Sequence, residues 1–119
     1  LVFCARKAAE VEEAAAALAA AGREARGFVA DVADAESYGA FMAQAPGAFG
    51  GVDVFVPNVS AGGGMGSEQF WRNSFEVDVL GTVRGCEALA PAMAERGGGA
   101  IVLVSTTAAQ ESFVGPMAY

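Results

Sequence analysis

The sequence predicts an α/β domain built on a parallel sheet with helices on both faces. Three observations predict it. Short apolar runs alternate with longer segments of helical period in the order β-α-β-α-β-α-β. The runs are continuously apolar rather than alternating, as strands buried on both faces are. Each segment between two runs is long enough to hold a crossover helix.

The first run is Leu1–Cys4. A long Ala-rich helix is expected from about Ala8 to Ala21, with Val11, Ala14 or Ala15, and Leu18 on one face. Glu10, Glu12 and Glu13 sit in its first turns, where the helix dipole favours anions, and Gly22 supplies the stop. The stretch Arg26–Val32 contains a second strand with Phe28, Val29 and Ala30. Asp34 is suited to cap a second helix carrying Tyr38, Phe41 and Met42, which Pro46 and Gly47 break. Val52–Val56 reads as a third strand, followed by a glycine-rich loop over Ala61–Gly66. Ser67 could cap a helical region running through Phe70, Trp71, Phe75, Leu80, Val83 and Leu89 to the glycines at 97–99. Ala100–Val104 is the fourth strand, and Ser105–Pro116 reads as an irregular active-site loop.

Composition narrows the chemistry. A chain of 119 residues makes one domain at most, and 54 % hydrophobic residues suffice for a core. The net charge is −7, Lys7 is the only lysine and the arginines are scattered, so a phosphate backbone is repelled and no nucleic-acid partner is expected. There is no histidine, which removes Ser-His-Asp and Cys-His catalysis within these residues and most zinc chemistry; no metal site is expected. Cys4 and Cys86 lack a CxxC spacing and read as small buried hydrophobes in a reducing cytoplasm. The run at Leu1–Cys4 is too short for a signal peptide or a membrane span, and no membrane partner is expected. It reads as a strand already under way, and Tyr119 as a second cut through structure.

Five segments carry candidate chemistry. Cys4-Ala5-Arg6-Lys7 and Ala30-Asp31-Val32 each close a strand. Asp53-Val54-Phe55-Val56-Pro57-Asn58-Val59-Ser60 runs from the third strand into a turn, and Phe75-Glu76-Val77-Asp78-Val79-Leu80-Gly81 lies on a helix. Ile101–Thr106 closes the fourth strand, and Tyr119 follows Thr106 by thirteen residues. A sixth segment, Gly62-Gly63-Gly64-Met65-Gly66, follows a strand where a phosphate cradle could lie. It has Ser67 where GxGxxG needs a third small glycine-like residue, and no Gly-Lys pair, so it reads better as a loop near substrate.

The order and spacing of these segments resemble the short-chain dehydrogenase/reductase family over essentially the whole chain, from that family's second strand to its catalytic tyrosine. The resemblance implies a Rossmann-like, doubly wound parallel sheet, with residues 1–119 as a partial NAD(P)-binding domain that lacks the first strand and its Gly-rich turn. Ala5 stands where NAD-preferring members carry an acid, and Arg6 follows it, which implies NADP in preference to NAD; a solvated Arg at a strand end is the alternative. Asp31 and Val32 resemble the pair that binds adenine, although Asp is also a common turn residue. Asn58 falls on the second Asn of the family's Asn-Asn-Ala-Gly turn, while Pro57, Val59 and Ser60 depart from it. Asp78 occupies the place of a catalytic Asn that orients a relay water; a helical Asp paired with Arg84 or with an Arg outside these 119 residues is the alternative. Thr106 is the positional and Ser105 the chemical candidate for the hydroxyl that hydrogen-bonds the substrate carbonyl.

Tyr119 corresponds to the general acid/base. A free phenol has a pKa near ~10, and in the family a Lys four residues further on lowers it towards working pH. The implied activity of the intact parent is hydride transfer between NADP and a ketone or secondary alcohol, with the 119 residues alone inactive. A non-redox NADP-binding relative and a dehalogenase-like relative without nucleotide stand as alternatives. A small carbonyl or alcohol is the implied partner, and the family's long helices, which commonly form subunit interfaces, leave a homo-oligomer open.

Overall fold

A computed structural model describes residues 1–62 and 67–107. The chain divides into two compact units, Leu1–Val52 and Asp53–Tyr119. Each is built on a pair of parallel strands.

In the first unit β1 (Val2–Ala5) leads into α1 (Ala8–Ala20), then β2 (Arg26–Val29), α2 (Ala35–Gln44) and a 3-10 turn (Ala45–Ala48). The strands pair in parallel with Val2 opposite Arg26 and Ala5 opposite Val29. A parallel pair needs a crossover, and α1 provides it. Val11 on α1 is buried, and Ala14, Ala15 and Leu18 are the helix's half-buried positions, on the expected face. Gly22 ends the helix at φ 70°, where a left-handed residue lets the chain turn back. Asp34 caps α2 through its carboxylate, which accepts from the Glu36 and Ser37 N–H groups at 2.9 and 3.1 Å. Tyr38, Phe41 and Met42 of α2 are buried, and the Phe41 ring lies 5.5 Å from that of Phe28 on β2. Pro46 and Gly47 do not end the helical path outright. They convert it to a 3-10 turn, since Pro lacks the N–H that α-helical bonding needs.

The second unit contains β3 (Val54–Phe55), α3 (Glu68–Ser74), a π-helical segment (Phe75–Leu80), α4 (Gly81–Glu95) and β4 (Ala100–Ile101). β3 and β4 pair in parallel, Val54 opposite Ala100. Both strands are shorter than the runs Val52–Val56 and Ala100–Val104. Among the described residues each has one strand neighbour, and ladder bonds set strand length; the Val102 N–H to Phe55 carbonyl bond at 2.9 Å is the last rung. Val54, Val56, Leu103 and Val104 are exposed although their composition is that of buried strand.

Ser67 stands at the start of α3 but makes no side-chain cap; its carbonyl accepts from the Phe70 N–H instead. The single helix expected from Ser67 to Gly97 is interrupted by the π segment, a feature that often marks a functional position inside a helix. Across the interruption Trp71, Phe75, Val79 and Val83 recur every four residues and are all exposed, between 43 % and 56 %. Ser74, Gly81, Gly85, Leu89 and Met93 form the buried stripe.

After α4 the chain returns to β4 through a close approach. The Ala100 N–H donates to the Asp53 carbonyl at 2.9 Å, and a Cβ at Gly99 would stand 2.8 Å from that same oxygen and against the Met93 side chain. Backbone cannot yield as a flexible side chain does. Gly99→Ala is therefore expected to destabilise the full-length protein by about 1–3 kcal/mol, read as a lowered thermal midpoint; an unchanged midpoint would contradict the packing.

Both cysteines are half-buried free thiols, and burial pushes the Cys4 thiol up from its ordinary value. Among the described residues no helix is long and apolar enough to cross a membrane, and no group of His, Cys, Asp and Glu could hold a metal ion.

Candidate functional site

In a parallel α/β sheet, ligands bind beyond the carboxyl ends of the strands. Both units place candidate residues there. In the first unit β1 and β2 end side by side, the Ala30 N–H donating to the Ala5 carbonyl at 3.0 Å. Arg6 leaves the end of one strand and Asp31 the end of the other. Arg6 is exposed and, among the described residues, in no hydrogen bond or ion pair, so its guanidinium is free to meet a phosphate. Asp31 is half-buried and holds a turn: its Oδ1 accepts from the Ala33 N–H at 2.9 Å, and its own N–H donates to Ser37 Oγ at 3.1 Å. The turn role weighed for this Asp is thus present, and it uses one of the two carboxylate oxygens. Val32 is buried.

In the second unit a cavity of about 420 Å³ opens where the chain leaves β3 and β4. Asn58, Ser60, Ser105 and Thr106 line it from the strand exits, with the apolar Pro57, Val59, Leu103 and Val104, and Asp78 and Thr82 line it from the helical side. Four of the predicted site residues therefore share one cavity: Asn58, Asp78, Ser105 and Thr106. Tyr119 and the glycines at 63, 64 and 66 lie outside the described residues.

Asp78 sits in the π segment and is half-buried. Its Oδ1 accepts from the Ala61 N–H at 2.8 Å, tying the helix to the loop after β3. Its backbone carbonyl accepts from Thr82 Oγ1 at 2.9 Å. The alternative pairing with Arg84 is not what forms. Arg84 Nη2 meets Glu76 Oε1 at 2.6 Å, leaving Nη1 buried without a partner among the described residues. Residues eight apart are poorly aligned on a regular α-helix. A π turn takes up an extra residue and brings them nearly two turns apart on one face.

Ser60 Oγ accepts from the Gly62 N–H at 3.0 Å, so the serine that replaces the usual glycine closes a small turn of its own. Thr82 is the cavity residue that sequence reasoning missed. Its signal was its place four residues after Asp78, one helical turn along.

The cavity thus combines several hydroxyls, one amide and one carboxylate, the only charge among its lining residues. Hydroxyl groups can donate to a carbonyl oxygen, and the carboxylate can hold a water. The short chain dehydrogenase family model matches residues 1–119. The chain belongs to the short-chain dehydrogenase family.

Among its relatives, dehydrogenase/reductase SDR family member 4 of Bos taurus is 36 % identical over 118 residues, covering 95 % of this chain and 42 % of the relative. The structure of an actinorhodin polyketide ketoreductase with NADPH matches 99 % of this chain and 48 % of that one, with a TM-score of 0.92 and 29 % identity. L-sorbose reductase from Gluconobacter frateurii, complexed with NADPH and L-sorbose, matches 98 % of this chain and 47 % of that one, with a TM-score of 0.86 and 31 % identity. The expected Rossmann-like α/β class is that of these short-chain dehydrogenase structures. The chain spans just under half the length of each of these three proteins.

Proposed function

We propose that the full-length protein is an NADP-dependent oxidoreductase that moves a hydride between nicotinamide and a ketone or secondary alcohol. One observation carries this reading: Asn58, Asp78, Ser105 and Thr106 line one cavity at the exits of two paired parallel strands. NADPH in the ketoreductase and the sorbose reductase supports it.

In this reading Arg6 holds the 2′-phosphate, Asp31 and Val32 receive the adenine, and Asn58 packs beside the nicotinamide end. A bound nicotinamide supplies the hydride. The hydroxyl of Ser105 or Thr106 donates to the substrate carbonyl oxygen and orients it. Tyr119 gives that oxygen its proton, and Asp78 holds a water through which the proton is replaced. The exposed apolar positions Trp71, Phe75, Val79 and Val83 support a homo-oligomer through this helical face. Trp71→Glu with Phe75→Glu is expected to shift the full-length protein to monomer in sedimentation velocity; a wild-type monomer at micromolar concentration contradicts the assembly.

The activity is tested by following reduced nicotinamide absorbance with NADPH and a panel of ketones and sugars. Oxidation of NADPH that depends on the carbonyl is expected. Tight NADP binding without turnover of any substrate would favour a second reading, a non-catalytic NADP-binding protein. Asp78 and Thr106, standing where the family resemblance implies Asn and Ser, are the residues that favour it.

A further inference from the structure

Thr82 brings to the cavity a hydroxyl to which the proposed reaction gives no role. Thr82 is the second residue of α4, just past the π segment, is half-buried and lines the cavity. A threonine hydroxyl has one hydrogen to donate and two lone pairs to accept with. The hydrogen is committed to the Asp78 carbonyl at 2.9 Å. No donor to Thr82 Oγ1 exists among the described residues. What Thr82 offers the cavity is therefore acceptor capacity.

Asp78 is in the same position. Its Oδ1 takes the Ala61 N–H, and a carboxylate can only accept. Two neighbouring acceptors one helical turn apart call for a small donor between the helix and the strand exits, and water fits both by size and by its two hydrogens.

We propose that Thr82 is a positioning residue that holds the relay water of this cavity. The inference rests on the oxidoreductase reading. The water donates one hydrogen to Thr82 Oγ1, which fixes its orientation, and rests the other on the Asp78 carboxylate until it is transferred. When the general acid has given its proton to the substrate oxygen, the water passes that second proton to it and regains one from solvent. No net proton stays at the site, and no electrons move in this step.

A threonine that bonds the carbonyl four residues back is also an ordinary helix feature with a purely structural effect. The test must therefore read more than stability. In the full-length protein, Thr82→Val keeps the shape and removes the hydroxyl. We expect kcat to fall about tenfold, the loss of one hydrogen bond in the transition state. KM and the NADP Kd should stay within about twofold, and the solvent deuterium isotope effect on kcat should rise. Thr82→Ser should restore both kcat and the isotope effect.

Wild-type kcat and isotope effect in Thr82→Val, in a protein that Tyr119→Phe inactivates, overturns the proposal and leaves the oxidoreductase reading standing. A folded Thr82→Ser as slow as Thr82→Val overturns it as well. A wild-type protein that reduces no carbonyl overturns both. If Thr82→Val does not fold, a high-resolution crystal structure of the wild type decides: an ordered water within hydrogen-bond distance of Thr82 Oγ1 is expected, and its absence overturns the assignment.

Discussion

Tyr119→Phe in the full-length protein is expected to cut carbonyl turnover by about 10²–10⁴-fold, the range for removing a general acid. The aromatic ring is kept and only the hydroxyl is lost, so the NADP Kd should move by less than about twofold. The reason lies in the reaction. Hydride arriving at a carbonyl carbon leaves negative charge on oxygen, and that oxygen must be protonated as the charge develops. Phenylalanine has the shape of tyrosine and no proton to give. The candidate rests on spacing, thirteen residues beyond Thr106, since Tyr119 lies outside the described residues. Steady-state kinetics and equilibrium binding measured on one preparation separate the two effects. Turnover retained in Tyr119→Phe would remove the tyrosine from the mechanism, and lost binding would make its role structural.

Arg6→Ala is expected to weaken NADP binding by about 10- to 150-fold. A charge-assisted hydrogen bond is worth about 1.5–3 kcal/mol, and each 1.4 kcal/mol is tenfold in affinity. NAD carries no 2′-phosphate, so its Kd should change by less than about threefold. The expectation follows from the guanidinium standing exposed at the end of β1 with no partner among the described residues, beside the end of β2. Calorimetric titration with both nucleotides checks it. Equal loss of NAD and NADP affinity would mean that Arg6 supports the strand end and does not read the phosphate.

The elements that were legible in the sequence are those whose cause is local. Asp34 is a cap because its own carboxylate reaches the two N–H groups ahead of it. The buried face of α1 follows from spacing on one helix, and the stop at Gly22 from its left-handed backbone. Strand extent was legible only in part. A run such as Ala100–Val104 announces a strand by composition, but its length is set by hydrogen bonds to a neighbour far away in sequence. The π segment left no mark of its own in the apolar pattern, and with it went the partner of Arg84.

Family membership was legible for a related reason. Five short segments in a fixed order along one chain are a one-dimensional signal, and none of them needed coordinates to be read.

The sequence by itself determined the α/β class, the order of helices and strands, and which residue types stand at the ends of the strands. Those properties depend on neighbours a few positions apart. Only the tertiary structure decided that Asn58, Asp78, Thr82, Ser105 and Thr106 line one cavity, and that the Asp78 carboxylate spends one oxygen on the Ala61 N–H seventeen residues earlier. Strand register and the winding of a helix through a π turn bring such groups together, and both are settled by packing between distant parts of the chain.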